Sequence, residues 1–84
     1  MKPRLQQKQD MTQKAPPLTP RQKQILHLIT DGYTSREIGE QLKISTQTVE
    51  VHRYNLMQRL DARNVAQLIR QALLFQYLPR PHAD

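Results

Sequence analysis

Four helix-start signals follow one another along this chain, and they leave room for little but a small helical bundle. In TPRQ, Thr19 offers an N-cap hydroxyl, Pro20 suits the first helical position, and Gln22 stands three residues on to return the capping bond. In TSRE, Thr34 and Glu37 repeat that reciprocal arrangement. Ser45 is placed to cap a third helix, and Asn64 with Gln67 opens a fourth. The stop signals complete the reading: Asp31-Gly32 ends the first helix, Lys43-Ile44 forms a turn after Leu42, the third runs from about Thr46 to Leu60, and the fourth ends before Pro79. Ile25, Leu26 and Ile29 give the first helix its inward face, Ile38 and Leu42 the second, and Val65, Leu68, Ala72 and Phe75 the fourth. Gly39, inside the short second helix, predicts a close approach by a neighbouring helix. With no strand-like alternation and only two glycines, the expected fold is all-α.

Composition narrows the function. The chain has 84 residues, enough for one small domain whose stability is modest or shared with a partner subunit. It has no cysteine, which removes disulfides, thiolate metal sites and a Cys nucleophile together. His27 and His82 are isolated in sequence, so no metal-ligand spacing exists, and no cofactor is expected. The longest apolar run, around Leu73–Leu78, is broken by Gln76 and is far short of a membrane span. Lys2 and Arg4 are followed by no apolar run, so the N-terminus does not read as a secretory signal and a cytoplasmic protein is expected. No phosphate-cradling glycine loop, clustered carboxylates or nucleophile beside a histidine suggests an enzyme.

The net charge of +6 points to a polyanion or an acidic partner. Residues 1–17, rich in Gln, Lys and Pro and without periodicity, read as a disordered basic arm or linker; residues 18–78 form the domain, and 79–84 a tail. The domain itself holds eight Lys/Arg against five Asp/Glu, so the positive excess is not confined to the arm.

The third helix has one stripe too many. Val49, His52, Leu56 and Leu60 make an apolar stripe that can seat it on the bundle, with His52 expected to be packed rather than ligand-binding. Gln47, Glu50, Val51, Tyr54 and Gln58 fall on a second stripe that folding does not require. A short helix, a tight turn and a longer helix with a polar outer face form a helix-turn-helix pattern, in which the second helix enters the DNA major groove.

At this point two segments carry a resemblance. LTPRQKQILHLITDGYTSREIGEQL resembles LTxRExEVLxLxxxGxxxxEIAxxL, and ISTQTVEVHRYNLMQRL resembles ISxxTVxxHxxxIxxKL, the paired motifs of the LuxR/FixJ/GerE-type DNA-binding domain. The resemblance implies a four-helix bundle whose third helix reads the major groove and whose fourth often mediates dimerisation, in bacterial transcription regulators. On that mapping Glu50, Val51 and Tyr54 are base readers, and Gln47 shares their stripe. Glu can accept from a cytosine amino group, Val can touch a thymine methyl, and Tyr can bond to a base or a phosphate. Glu50 departs from the family, where this position is commonly basic. Gln22 and Gly39 replace a usual Glu and a usual Ala.

Phosphate contacts are expected from Ser35 and Arg36 at the start of the second helix, Thr46 and Thr48 at the start of the third, Arg53 along it, and Arg59 and Arg63 at and beyond its end. The fourth helix is more apolar than one buried face needs, and Ile69, Leu73, Leu74 and Tyr77 are expected to form a homodimer interface, in solution or only on DNA. Leu74 and Leu78 folding back within the monomer is the competing explanation. The partners expected are therefore double-stranded DNA, a second copy, and RNA polymerase or a regulatory protein; bound to DNA, the protein would lie on the nucleoid. The rival class is a protein-interaction adaptor that uses the fourth helix or the Glu50 stripe, and salt dependence separates the two.

Overall fold

A computed structural model describes residues 15–79. Within them lie four helices, α1 Pro20–Thr30, α2 Ser35–Leu42, α3 Thr46–Arg59 and α4 Val65–Leu74, and no strand. Most of the expected arm, residues 1–14, and most of the tail lie outside the described residues.

Each helix begins where a side chain can take up its free backbone N–H groups. The Thr19 and Gln22 box is closed in both directions, at 2.9 and 3.0 Å, as is that of Thr34 and Glu37, at 2.9 and 3.1 Å. Ser45 Oγ accepts from the Thr48 N–H, and Asn64 Oδ1 from the Gln67 N–H. Gln22 is only 8% exposed. A neutral amide closes the cap there without burying the charge that glutamate would bring.

The helix ends share one device. In each, the residue just past the last turn is left-handed: Gly32, Lys43, Asp61 and Gln76 have φ of 95°, 58°, 55° and 64°. The following N–H then reaches back to a carbonyl near the end of the helix, as in Tyr33 to Leu28, Ile44 to Gly39, Ala62 to Met57 and Tyr77 to Ala72. Three of the four left-handed residues carry a Cβ, a local cost of roughly 1–2 kcal/mol each.

This device corrects the expected end of α4. The helix stops at Leu74, not just before Pro79, because Gln76 turns left-handed and sends the chain back over the bundle. Leu78 is thereby buried in the core. Val65, expected inside, is exposed, and Phe75 is half-buried.

The core is continuous. Ile25 and Leu26 from α1, Ile38 from α2, Val49, Leu56 and Leu60 from α3, and Leu68 and Ala72 from α4 are fully buried, with Leu18, Ile29, Ala62 and Leu78 closing its edges. The backbones of α1, α2 and α3 approach one another closely, whereas α4 stands further off and packs through its side chains. At Gly39 the neighbour is the turn into α3 rather than another helix: a Cβ would lie 2.7 Å from the Ile44 carbonyl oxygen. That oxygen belongs to backbone held by the Ile44 N–H to Gly39 bond of 3.0 Å, so it has little freedom to retreat.

Gly39→Ala is therefore expected to destabilise the domain by about 1–3 kcal/mol, despite the better helix propensity of alanine. Gln76→Gly should stabilise it by up to about 1 kcal/mol by relieving the left-handed residue. Thermal unfolding of the two variants checks both signs; a neutral or raised melting temperature for Gly39→Ala would mean that the turn yields freely.

Candidate nucleic-acid interface

Burial separates the two stripes of α3. Val49, Leu56 and Leu60 are fully buried against the other helices, and His52 is half-buried beside them. Gln47, Glu50, Val51, Tyr54 and Gln58 all face solvent, with Val51 55% and Tyr54 64% exposed. A valine and a tyrosine left this open on a helix whose opposite side is saturated are available surface for a partner. The α2–turn–α3 unit holds that surface clear of the bundle.

The candidate phosphate contacts are spread around it. Ser45 Oγ donates to Thr48 Oγ1 at 2.8 Å as well as capping the Thr48 N–H, so the Thr48 hydroxyl is already oriented within the first turn of α3. Thr46 is exposed at the same terminus. Ser35 is half-buried, and Arg36 is exposed, its Nε 3.7 Å from Glu40 in an i,i+4 pair too solvated to restrain it much. Arg53 is half-buried. It lines, with Glu50, Tyr54, Met57, Gln58, Ala62 and Arg63, a cleft of about 470 Å³ along one flank of the exposed stripe. Arg63 also borders a polar notch formed with Asp61, Gln67, Arg70 and Gln71.

Arg59 lies apart from these. Its Nη1 donates to the Pro17 carbonyl at 3.1 Å, on the side of α3 where the chain enters the domain. Sequence reasoning missed this pairing, and also the place of Met57, Ala62 and Arg70 beside the site. Only Gln58 had a sequence signal, as the next member of the Gln47–Tyr54 stripe.

On α4 the apolar excess is partly resolved within the chain. Ile69 and Leu73 are half-buried against the core, and Leu74 is 61% exposed. Tyr77 is half-buried, and its hydroxyl donates to the Pro16 carbonyl. Leu78 folds back into the monomer and Leu74 does not, so neither explanation of the excess accounts for both residues.

Among the described residues no group of three or more His, Asp or Glu side chains could hold a metal ion, and no helix is long and apolar enough to cross a membrane. The site is built from hydrogen-bonding, apolar and cationic side chains, with Glu50 and Asp61 as its carboxylates.

Comparison with known proteins agrees with this geometry. Residues 16–72 match the GerE model, described as bacterial regulatory proteins of the luxR family. The chain is 48% identical over 56 residues to the uncharacterized response regulatory protein YgeK of Escherichia coli (strain K12), covering 67% of this chain and 38% of that protein. It is 49% identical over 57 residues to the transcriptional regulatory protein MctR of Rhizobium johnstonii, covering 68% and 27%. With the transcriptional regulatory protein FixJ of Rhizobium meliloti the identity is 39% over 56 residues, covering 67% and 28%. The chain thus spans well under half the length of these curated relatives. A solved structure, that of the transcription factor GerE, superposes with a TM-score of 0.69 at 35% identity, covering 74% of this chain and 92% of that one.

Because the α3 terminus depends on Ser45, Ser45→Ala should cost about 0.5–2 kcal/mol of stability. A melting temperature lowered by ~4–8 °C per kcal/mol is the expected readout.

Proposed function

The chain belongs to the luxR family of bacterial regulatory proteins, whose helix-turn-helix domain binds DNA, and on that premise we propose that it reads a specific duplex sequence through α3 and so regulates transcription. The observation that carries the proposal is the division of α3 into a saturated apolar side and an open side bearing Gln47, Glu50, Val51 and Tyr54. With α3 in the major groove, these four face the base edges. Glu50 selects cytosine by accepting from its amino group, and Val51 favours a thymine methyl. Tyr54 bonds to a base or to the adjoining backbone. A carboxylate among phosphates is costly unless it finds such a donor, so Glu50 acts as much by rejecting wrong bases as by holding the right one.

Backbone contacts come from Ser35 and Arg36 on one side and from Thr46, Thr48, Arg53 and Arg63 around α3. The orphan N–H groups at the start of α3 add to the attraction for a phosphate. A second copy joins through Ile69, Leu73 and Leu74 of α4, while Tyr77, its hydroxyl engaged by the Pro16 carbonyl, stays with its own monomer. Two-fold pairing sets two recognition helices about 34–36 Å apart on an inverted repeat. The role is binding without a catalytic step, in the cytoplasm and on the nucleoid when bound, with RNA polymerase or a regulatory protein as the further partner.

Selection of bound sequences from a random duplex pool at near-physiological salt tests the reading. An inverted repeat should be enriched; tight binding to an acidic protein with no enriched motif would instead favour the adaptor class. Glu50→Ala should change the preferred base at one position of each half-site while leaving nonspecific affinity equal or higher. Arg53→Ala should weaken binding to every sequence and lower the slope of log K against log[salt] by about 0.9. If Glu50→Ala left the preferred sequence untouched, its place on the groove floor would be wrong.

A further inference from the structure

The segment that leads into α1 is held from two sides by residues far away in sequence. Ala15–Pro17 belongs to no helix or strand, and Leu18 after it is buried in the core. Two successive prolines have φ fixed by their rings and no N–H, so only the carbonyls of Pro16 and Pro17 can bond. Both do. Arg59, the last residue of α3, donates to Pro17, and Tyr77, in the turn after α4, donates to Pro16.

The place of these bonds matters because α4 is the least closely packed helix of the bundle. Apart from Leu68, Ala72 and Leu78 in the core, it is tied to α3 by Gln71 Nε2 donating to the Leu60 carbonyl at 3.0 Å. The strap of residues 15–18 forms a second tie, running from the end of α3 to the exit of α4. Prolines make that tie stiff, and the buried Leu18 anchors it.

We propose that Arg59 and Tyr77 are positioning residues that clasp this strap and thereby fix the angle between α3 and α4. The proposal rests on α3 reading DNA and on α4 pairing two copies. If α4 carries the two-fold axis and α3 the reading surface, the angle between them sets the separation of the recognition helices. A loose clasp lets that separation vary while leaving each reading surface intact. Arg59 then contributes through the strap and not through a phosphate, unlike Arg53, which borders the open stripe.

Two variants of the full chain test this, Tyr77→Phe, which removes one hydroxyl and keeps the ring, and Arg59→Gln. Amide hydrogen exchange should rise several-fold, up to about tenfold, across residues 75–78, whose N–H groups bond back to α4, in both variants, with the α1–α3 amides unchanged. Unchanged exchange at those positions in both would overturn the clasp, whether or not the protein binds DNA. In selection from a random duplex pool, both variants should keep the wild-type half-site but accept a broader range of half-site spacings. Spacing as narrow as that of the wild type would overturn the link from clasp to α4 angle. Arg59→Gln should leave the slope of log K against log[salt] as it is, and a loss of about 0.9 would return Arg59 to the phosphate contacts. Failure of the wild-type protein to enrich any motif would instead sink the DNA reading, while exchange still decides the clasp.

Discussion

With no Cβ at residue 39, the backbone of α2 comes against the Ile44–Thr46 turn, and this contact sets the angle at which α3 leaves α2. The open face of α3 is mounted on that angle. Ile38, beside Gly39, and Val49, in the first turns of α3, enter the same core, so the close approach and the apolar packing enforce one another. A wider turn would lift Val49 out of the core and tilt the open stripe of α3 with it.

The domain meets its small size with local devices. Its core is a single cluster, and a chain without cysteine has no disulfide to supplement it. Each helix is instead closed at both ends by its own residues, through side-chain caps at the start and a left-handed turn at the finish. The ends matter more in short helices, where the first and last turns make up most of the element. Lys43, Asp61 and Gln76 accept left-handed backbone that glycine would tolerate better, and the reward is direction: each sends the chain into the next part of the core. After α4 the same turn delivers Tyr77 to the strap and Leu78 to the interior.

Packing and exposure are divided along α3 without conflict, because 3.6-residue periodicity keeps the stripe of Val49, Leu56 and Leu60 apart from that of Gln47, Glu50, Val51 and Tyr54. The first stripe is packed into the bundle and the second is open to solvent. The flanks between them are where the two demands meet. On one, Arg53 borders a cleft next to the exposed stripe; on the other, Arg59 turns towards Pro17 and the entering chain. Two arginines six residues apart on the same helix therefore have different surroundings.

Local signals carried the helix starts at Thr19, Thr34, Ser45 and Asn64, the turn between α2 and α3, and both stripes of α3, because capping bonds span three residues and helical periodicity repeats within two turns. The motif pair that resembles the luxR-type domain was legible for the same reason, since its spacing is set within single helices and one turn. The sequence by itself thus determined an all-α helix-turn-helix chain and the side chains on its open face. What only the tertiary structure decided involves residues distant along the chain: Arg59 with Pro17, 42 residues apart, and Tyr77 with Pro16, 61 apart. The end of α4 at Leu74 belongs here too, because Leu78 gains more by entering a core shared with Leu18 and Leu68 than by extending an exposed helix. No local pattern encodes which distant surface will be waiting, so the strap, the exit of α4 and the cleft beside Tyr54 emerged only once the helices were packed.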